Sequence, residues 1–477
     1  MILNSENPNP DINAKIKQSF PDVSVHKGLA NSVGLSGRVI PVFVSDWLVS
    51  RYSDTYGSVD GDAIRKFIAR YLPDKKQKEP LLYELRNGNQ LKILDAYSVK
   101  VHPSRGDLQL KIPALDIMGR VRETIVEENP LLLMGNVWGS GTLMWMPQKD
   151  KQDRYEIVMT NFKPMQAASI DLDYFLEQRK AFDTQEWLAL LIRTMGYDER
   201  RYTVRQKILL LTRLVPLIEP RVNIIELAPK GTGKSYIFSQ LSRHAWLISG
   251  GVVTRAQLFY NMQRQQAGII SSYDAIILDE IQTIKLSNEG EIIGALKGYL
   301  EAGEFRVMGF HGSADAGFVI LGNIPIEDNR PRDKNFFREL PRWLNNQNAT
   351  ALLDRFHGLL PGWELPRIES SSLCQSYALR ADFFGEVIHA LRNRQEHIAY
   401  VQDHTESAGD LRDTRAVHRL ACGFMKLLYP DIESVTLNNF NELCLKPAIE
   451  LRSNIRRQMA ILDREFSPNI ADIKLRY

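Results

Sequence analysis

The chain has 477 residues, of which 44% are hydrophobic and 25% charged, and its formal net charge is only +3. This length predicts roughly three domains. The composition is that of an ordinary soluble globular protein, and so small a net charge does not by itself indicate nucleic-acid binding. Cys374, Cys422 and Cys444 lie far apart, which excludes a disulfide framework or a cysteine zinc site and favours a reducing cytosol. Since Cys422 and Cys444 fall in apolar helical patterns, we expect buried thiols there.

Neither a leader nor a membrane segment is predicted. The first residues, MILNSENPNPDINAK, contain no apolar core flanked by basic residues. No uninterrupted apolar run approaches the roughly 20 residues of a membrane span. We therefore expect a cytoplasmic protein without a membrane partner.

Residues 1–80 are predicted to form a mixed α+β segment. The stretch RVIPVFV (38–44) is typical of a strand, and DAIRKFIARYL (62–72) has the apolar spacing of an amphipathic helix. The charged, proline-bounded PDKKQKEP (73–80) is predicted to connect this segment to the next domain.

Residues 81–168 have the patterns of a β domain. Apolar stretches broken by Gly, Pro and Asp occur in LKILDAYSVKVHP, DLQLKIPALDI, LLLMGNVWGSGTLMWMP and RYEIVMTNFKPM. Four or five strands in about 75 residues predict a small barrel or sandwich, such as an OB-like barrel. Such a domain suits either a DNA-binding collar or a purely structural role.

An α/β core is predicted for residues 169–350 and a helical lid for 351–477. In the stretch DTQEWLALLIRTMGY, Asp183 or Thr184 can cap a helix that has Glu186 in its first turn. The following RQKILLLTRLVPLI continues as one apolar helix that ends at Pro220. Strands then alternate with helices to about residue 325, which indicates a parallel sheet.

The stretch ELAPKGTGKSY (226–236) nearly matches the phosphate-binding loop G-x-x-x-x-G-K-[ST]. Its glycines let backbone N–H groups converge on phosphates, Lys234 reaches the β- and γ-phosphates, and the Ser235 hydroxyl ligates Mg²⁺. Ala228 replaces the first glycine, which alanine tolerates unless φ is positive there. The predicted contacts to ATP are Lys230, Gly231, Thr232, Gly233, Lys234 and Ser235.

Two further strand ends carry polar groups. DAIILDE (274–280) is an apolar strand ending in adjacent carboxylates, of which Asp279 would hold Mg²⁺ and Glu280 would polarise the attacking water. FVILGN (318–323) ends in Asn323, which in additional-strand ATPases orients that water; alternatively it simply opens a turn before Pro325.

Arginines complete the pattern. Arg355, at the end of ATALLDRFHG, can reach the nucleotide of a neighbouring subunit and stabilise charge on its γ-phosphate; the alternative is a surface or ion-paired arginine. In the lid helix DLRDTRAVHRLACGFMKLLYP, Arg412 is the first candidate to sense the γ-phosphate, with Arg415 next. A trans arginine has meaning only in an oligomer, so we expect a ring, of six subunits.

The order of these motifs resembles that of AAA+ ring ATPases. The stretches ISGGVVTRAQLFYNM, DAIILDEI, LKGYLEAGEF, FVILGNI, DRFHGLLPGWELP and RDTRAVHRLACGFMKLLYP, together with the phosphate loop and YFLEQRKAFDTQEWLALLIRTMGYD, resemble the Lon-related BrxL family of BREX phage-defence systems over roughly residues 165–430. The resemblance implies an ATP-driven ring with an MCM-like core that acts on DNA, with the site residues in the roles given above. Other BREX components are then possible partners.

The sequence departs from that family twice. Ala228 stands where relatives have glycine, which bears on nucleotide affinity. Longer members also continue into a Lon-protease-like domain, whereas 47 residues follow Pro430 here. A Ser–Lys peptidase domain does not fit in that length, so we expect no proteolysis.

Candidate DNA contacts lie in two places. GEFRVMGFHGSADAGFVILG is predicted to form a pore-facing hairpin with Arg306 and His311 on it, or a plain hairpin with solvated charges. His311 has no second ligand at metal-binding spacing. In the barrel, basic residues alternate with apolar ones and either line a groove for DNA or form a solvent face: Lys100, Arg105, Lys111, Arg120 and Arg122.

Two other functions compete with a DNA motor on duplex DNA. Unfoldase pores grip polypeptide with an aromatic residue, and FYNMQRQQAG (259–268) offers Phe259 and Tyr260 for that role. A ring that binds nucleotide only for assembly is disfavoured by the presence of both Asp279 and Glu280. Replacing Tyr260 with Ala is predicted to separate protein remodelling from DNA translocation.

Overall fold

In the computed structural model, placement is described for residues 12–32, 40–53, 59–101, 106–133, 137–148, 151–165, 170–263, 265–307, 309–328, 330–470 and 472–476. The chain forms two compact units. The smaller unit comprises residues 23–170 and 380–383, and the larger comprises 1–22, 171–379 and 384–477. Among the described residues, none of the helices has the length and apolar composition needed to cross a membrane.

The smaller unit contains a closed five-stranded barrel with the strands Leu91–Val101, Leu108–Ile112, Ile117–Val121, Val137–Gln148 and Lys151–Pro164. Around the barrel the strands follow the order first, second, third, fifth and fourth, and the fourth pairs back to the first. The third and fifth strands are parallel and every other neighbouring pair is antiparallel. The interior is filled by alternate apolar residues such as Tyr97, Leu110 and Met159, so the predicted small barrel is confirmed.

Short helices accompany the barrel. They are Lys27–Ser32, Val42–Arg51, Gly61–Tyr71, Lys78–Arg86 and Glu123–Glu128, with 3-10 turns at Lys75–Gln77, Pro113–Leu115 and Pro130–Leu133 and a short strand at Ser24–His26. The helix expected in DAIRKFIARYL is present, and the Asp60 side chain accepts a hydrogen bond from the Ala63 N–H at its start.

The strand expected in RVIPVFV is wrong for its described part, because a helix begins at Val42, directly after Pro41. Residues 38 and 39 lie outside the described residues. Phe43, Val44 and Leu48 are buried, so tertiary packing of one helix face outweighs the β preference of a β-branched run.

The larger unit is built on a parallel sheet of five strands, which confirms the predicted α/β core. In spatial order they are Gly358–Pro361, Ile224–Ala228, Gly317–Asn323, Ala275–Leu286 and Ala245–Val253. We call the second the P-loop strand, the third the asparagine strand and the fourth the acidic strand. The asparagine strand therefore lies between the other two, as expected of an additional-strand ATPase. The central strands are buried on both faces, as parallel strands covered by helices usually are.

Helices cover the sheet. They are Ile12–Ser19, Leu172–Arg179, Thr184–Thr194, Val204–Thr212, Val215–Ile218, Lys234–Gln240, Arg255–Leu258, Glu289–Ala302, Thr350–Leu353, Ala381–Leu391, Glu396–Asp403, Leu411–Leu428, Leu437–Phe440 and Lys446–Leu462, with a π-helical turn at Asn441–Leu445. The 3-10 turns are Glu199–Arg201, Ile269–Ser271, Arg342–Leu344, Gln347–Ala349, Gly362–Glu364, Ser370–Ser372 and Ile432–Ser434. Short strands lie at Tyr260–Asn261, Gln266–Ala267, Glu304–Val307, Phe310–Ser313, Ile326–Glu327, Arg330–Pro331, Tyr377–Leu379, Thr405–Ser407 and Ile473–Leu475.

Three local predictions can be compared with these elements. Asp183 is the N-cap of Thr184–Thr194 and forms a capping box with Glu186. The single helix expected in RQKILLLTRLVPLI is wrong: it is two helices broken before Val215, because Pro216 cannot donate the backbone hydrogen bond that a continuous helix needs. The sheet also runs past the boundary predicted at residue 350, since Gly358–Pro361 is its edge strand.

Candidate nucleotide-binding site

The phosphate loop joins the P-loop strand to the helix Lys234–Gln240. Gly231 and Gly233 have φ values of +86° and +70°, a left-handed backbone conformation that residues with a side chain rarely adopt. A Cβ on Gly233 would also lie 2.6 Å from the Tyr197 hydroxyl. Two left-handed glycines in three residues turn successive backbone N–H groups toward one concavity, which is the arrangement that binds phosphate oxygens.

Ala228 ends the P-loop strand and is fully buried. It pairs with Asn323 in the parallel ladder, and it is not among the residues with positive φ, so alanine fits the local backbone. Gly362 lies against it: a Cβ added there would come within 2.6 Å of the Ala228 Cβ and 2.8 Å of a Glu226 carboxylate oxygen. The absence of a side chain at Gly362 thus leaves room for the Ala228 methyl group, which replaces the usual first glycine of the loop.

Lys234 is buried at the start of the loop helix, 8% exposed. Its Nζ donates a hydrogen bond to Oδ1 of Asn323 at 2.8 Å and approaches the Pro229 carbonyl oxygen at 3.4 Å. Burial lowers the pKa of Lys234 from its ordinary value, and the negative charges of Glu226 and Asp279 offset part of that shift. The motif lysine, the asparagine strand and the acidic strand therefore meet at one edge of the sheet.

The two carboxylates of the acidic strand have different surroundings. Asp279 is buried, and its Oδ1 accepts a hydrogen bond from the Glu280 N–H at 2.8 Å. Glu280 is exposed and has a φ of +50°, a strained conformation for a residue with a side chain. A bulge interrupts the pairing of the acidic strand between Asp279 and Ile284. The sheet thus holds one carboxylate inside and turns the next toward solvent.

The backbone of Asn323 is held by Gln282, a residue that belongs to none of the predicted motifs. The Gln282 Nε2 donates to the Asn323 carbonyl oxygen at 2.6 Å, and its Oε1 accepts from the Asn323 N–H at 3.4 Å. This backbone clamp leaves the Asn323 side chain directed at Lys234. A glutamine two residues after an acidic pair is the only signal that the sequence offered for it.

A buried ion pair lies beneath the phosphate loop and was also missed. The guanidinium of Arg213 donates to both carboxylate oxygens of Glu226, at 2.7 and 3.0 Å, and to the Thr232 carbonyl oxygen at 3.1 Å. Both side chains are 0% exposed. Because Arg213 binds the P-loop strand and the loop together, it fixes the loop's conformation. The signal was a glutamate within the otherwise apolar VNIIEL.

Arg355 and Arg412 lie together and away from this site. Arg355 Nε is 3.0 Å and Arg412 Nη2 is 3.3 Å from the same carboxylate oxygen of Glu301, and Arg412 also donates to Asp354 at 2.7 Å. Arg355 and the Asp354 that Arg412 contacts come just before the edge strand Gly358–Pro361, whereas the phosphate loop follows the parallel P-loop strand. The two ends of a five-residue strand are about 16 Å apart. Arg412 therefore lies near the opposite end of the sheet strands from the phosphate loop.

A buried ionic network holds Arg412. Asp354 accepts from Arg452 at 2.7 Å as well as from Arg412, and Asp413 accepts from both Arg452 and Arg456. Arg452 is 0% exposed. The helix Lys446–Leu462 therefore fixes the N-terminal turn of the lid helix Leu411–Leu428 against the residues just before the edge strand.

The predicted hairpin before the asparagine strand is present. Glu304–Val307 pairs with Phe310–Ser313, and Arg306 lies directly opposite His311 on the exposed face. His311 Nε2 is 3.4 Å from a Glu304 oxygen. Tyr260, the residue proposed to grip polypeptide, stacks on Phe310 with centroids 3.7 Å apart and an angle of 10°. Since side chains alternate along a strand, Phe310 and the Tyr260 stacked on it lie on the opposite face of the hairpin from Arg306 and His311.

The basic residues of the barrel are partly aligned. Lys100 and Arg120 both pair with Gln109 in neighbouring ladders, and Lys111 lies two residues along the same strand. These side chains therefore share the outer face of the first three strands. Arg120 is 3.3 Å from Glu156, which neutralises part of its charge. Arg105 lies outside the described residues.

Comparison with known proteins decides the family. Residues 157–471 match the family described as "Lon-like protease BrxL-like, ATPase domain", and residues 18–145 match "BREX system Lon protease-like protein BrxL N-terminal". The chain belongs to the BrxL family. It is 28% identical over 462 residues to the Lon-like protease BrxL of Escherichia coli O9:H4 (strain HS), covering 94% of this chain and 65% of that protein. It is also 28% identical over 433 residues to the Lon-like protease BrxL of Bacillus cereus (strain H3081.97), covering 89% and 63%.

The chain thus spans slightly less than two thirds of the length of these BrxL relatives. The phosphate loop, the acidic strand and the asparagine strand all lie within the residues matched to the BrxL ATPase domain. The resemblance noted in the sequence is confirmed at the level of the family, and the site described here is the candidate nucleotide site of that ATPase domain.

Proposed function

We propose that this protein is an ATP-hydrolysing AAA+ ring motor that binds or translocates on duplex DNA in BREX-type defence against phage. The observation that carries the proposal is the meeting of Lys234, Asn323 and the Asp279–Glu280 pair at the carboxyl edge of one parallel sheet. Membership of the BrxL family supports the defence role. Proteolysis is not part of this proposal, and the expectation that the chain lacks it remains a prediction.

Each residue at the site has a role that its surroundings support. The left-handed glycines and Lys234 bind the phosphates of ATP, and Ser235 and the buried Asp279 hold Mg²⁺. When bound, that ion neutralises charge on the phosphate oxygens. The exposed Glu280 takes the proton of the attacking water, and Asn323, which is held by Gln282 and Lys234, orients that water.

A ring explains why Arg355 and Arg412 lie at the opposite end of the sheet. We infer that both act on the nucleotide of a neighbouring subunit, where Arg412 senses the γ-phosphate from the lid. Glu301 holds both guanidinium groups in the isolated chain, and an incoming phosphate would compete for them. The inference therefore includes a homo-oligomer, which we propose to have six subunits in one ring or in stacked rings.

Two surfaces support DNA as the substrate. The hairpin places Arg306 opposite His311, where both can contact backbone phosphates. In the barrel, the strand order with one parallel pair between the third and fifth strands supports the OB-like assignment, and Lys100, Lys111 and Arg120 lie on the face of its first three strands. OB-folds bind nucleic acids on the face that includes the second and third strands.

Protein remodelling is the second candidate, and the half-buried stack of Tyr260 on Phe310 favours it because aromatic residues can grip polypeptide. Base stacking on aromatic side chains serves DNA equally well. The Tyr260→Ala variant alone does not separate the two functions, because removing Tyr260 also exposes Phe310 of the basic hairpin. Arg306→Ala is the better discriminator, since it removes a charge that binds phosphate and leaves the aromatic stack in place.

The decisive experiment measures steady-state ATP hydrolysis with duplex DNA, single strands or an unfolded protein, for wild type, Glu280→Gln and Arg306→Ala. The proposal predicts stimulation by duplex DNA that is lost in Glu280→Gln and weakened in Arg306→Ala. Stimulation by unfolded protein, with no response to DNA, would overturn it in favour of remodelling. A basal rate equal to that of Glu280→Gln under every condition would mean that the site does not hydrolyse ATP.

A further inference from the structure

A second cluster of potential ligands lies at the other end of the sheet from the nucleotide site. His244 directly precedes the strand Ala245–Val253, Asp274 directly precedes the acidic strand, and His389 is on the helix Ala381–Leu391. One ligand atom from each of the three lies within 4.8 Å of the other two. These residues are 30 and 115 positions apart in the sequence, so no local spacing reveals them.

The side chains of this cluster face one another closely. The His244 and His389 rings are parallel, with centroids 4.0 Å apart and an angle of 5°. His389 Nδ1 lies 2.6 Å from Asp274 Oδ2, and His244 Nε2 lies 3.0 Å from Glu386 Oε1. Glu386 is three residues before His389 on the same helix, a spacing that places both side chains on one face. Two imidazoles and two carboxylates therefore converge from three elements.

Two arginines contact the carboxylates without enclosing them. Arg243 donates to both oxygens of Glu386, at 2.7 and 3.0 Å. Arg392 Nε lies 3.4 Å from Asp274 Oδ1, and its other nitrogens donate to backbone carbonyls. Oδ2 of Asp274 therefore remains directed at the imidazoles. The Asp274 side chain is only 12% exposed, so this carboxylate is screened from bulk water.

We propose that His244, Asp274 and His389 bind one divalent transition-metal ion of the Zn²⁺ class, with Glu386 or a water as the fourth ligand. Imidazole nitrogen and carboxylate oxygen are ligands that Zn²⁺ takes, at about 2.0–2.2 Å, whereas Mg²⁺ and Ca²⁺ prefer oxygen alone. Tetrahedral bonds of that length separate neighbouring ligand atoms by about 3.4 Å. His389 and Asp274 would open slightly to admit the ion, and the stacked rings would tilt toward it.

Such an ion would join the helix Ala381–Leu391 to the residues that directly precede two core strands. It is separate from the Mg²⁺ proposed at Asp279, because Asp274 and Asp279 lie at opposite ends of the buried part of one strand. The three cysteines do not compete for the metal, since all are buried and separate. The proposal does not depend on the ATPase activity, and its test needs no turnover.

The test uses untagged full-length protein that is stripped with a chelator, incubated with Zn²⁺ and desalted, with bound metal measured by mass spectrometry. Wild type is expected to retain one equivalent, and His389→Ala and His244→Ala to retain less than a fifth of that. His404→Ala, which removes a histidine outside the cluster, should bind like wild type. Retention of no zinc by wild type, or equal losses in His404→Ala and His389→Ala, would overturn the proposal.

Cobalt binding by the wild-type protein tests the site without relying on a variant that folds. Co²⁺ added to stripped wild type should produce visible absorption bands of a tetrahedral nitrogen–oxygen site, saturating at one equivalent. Zn²⁺ should also raise the melting temperature of wild type and leave that of folded His389→Ala unchanged. Absence of the cobalt bands in wild type would show that the cluster is a hydrogen-bonded histidine pair that binds no metal.

Discussion

The ammonium group of Lys234 donates a hydrogen bond to the side-chain oxygen of Asn323 at 2.8 Å, across 89 residues of sequence. This bond joins the phosphate loop to the strand that lies between it and the acidic strand. One contact thus positions both Lys234, the residue proposed to bind phosphate, and Asn323, the residue proposed to orient water. Removing the Lys234 side chain should therefore change the kinetics differently from removing the Asn323 side chain.

We expect Lys234→Ala to abolish detectable nucleotide binding, because it removes the only lysine buried at the loop. Asn323→Ala should leave the KM for ATP within about threefold and lower kcat by 10²-fold or more, the order of magnitude seen when one positioned hydrogen-bonding group is removed from an active site. Nucleotide binding by fluorescence and steady-state hydrolysis check the two effects separately. Equal loss of affinity in both variants would mean that Asn323 serves only to hold Lys234.

Glu280 offers a test of backbone strain at the catalytic carboxylate. Its φ of +50° costs a non-glycine residue about 1–2 kcal/mol. We therefore expect Glu280→Gly to have a higher melting temperature than Glu280→Ala, although glycine is the less stable of the two at ordinary strand positions. Both variants, like Glu280→Gln, should lose hydrolysis.

Thermal unfolding of these variants is compared with a control pair at an exposed strand position of ordinary φ, Lys285→Gly and Lys285→Ala. There the alanine variant should be the more stable. If Glu280→Ala is also more stable than Glu280→Gly, residue 280 does not adopt the left-handed conformation in solution. The Glu280 side chain would then not point toward solvent as described.

Mixed rings test whether Arg355 acts on a neighbour. Lys234→Ala subunits supply Arg355 but have no working site, and Arg355→Ala subunits have a site but no arginine. Each variant alone should be inactive, and an equal mixture should recover activity at roughly a quarter of its interfaces if the ring assembles at random in a head-to-tail order. Hydrolysis after co-assembly is the measurement. Mixing Arg355→Ala with the Arg355→Ala/Lys234→Ala double variant is the matched control and should recover nothing.

The local chemistry of the site was largely predictable from the sequence. The phosphate loop, the acidic pair and Asn323 each end an apolar strand, and parallel strands bring their carboxyl ends to one edge. Long-range partners were not predictable. Nothing in the sequence links Gln282 to Asn323, or Arg213 to Glu226, because those contacts depend on how elements pack rather than on spacing along the chain.

The same reason explains the misplaced elements. The sequence marked Arg412 as a lid arginine, but it did not show that Asp354 holds it at the other end of the sheet, in a network with Arg452 and Asp413. The edge strand Gly358–Pro361 was missed because GLLP is too short to show a period. Its identity follows from pairing with the P-loop strand.

The substitution of alanine for the first loop glycine leads to the last prediction. Ala228 fits its strand and packs on Gly362, so Ala228→Gly should leave the KM for ATP within about twofold. It should destabilise the protein by about 1 kcal/mol through added entropy of the unfolded chain.

Gly362→Ala, which adds a methyl group to the residue that packs on Ala228, should lower the stability much more, because its Cβ would overlap with Ala228 and with the Glu226 carboxylate. Combining the two variants should restore part of the stability, since the overlap with the Ala228 methyl is removed while the contact with Glu226 remains. Thermal unfolding with ATP titration measures both quantities. A double variant that is no more stable than Gly362→Ala would show that overlap with the Ala228 methyl group is not what destabilises Gly362→Ala.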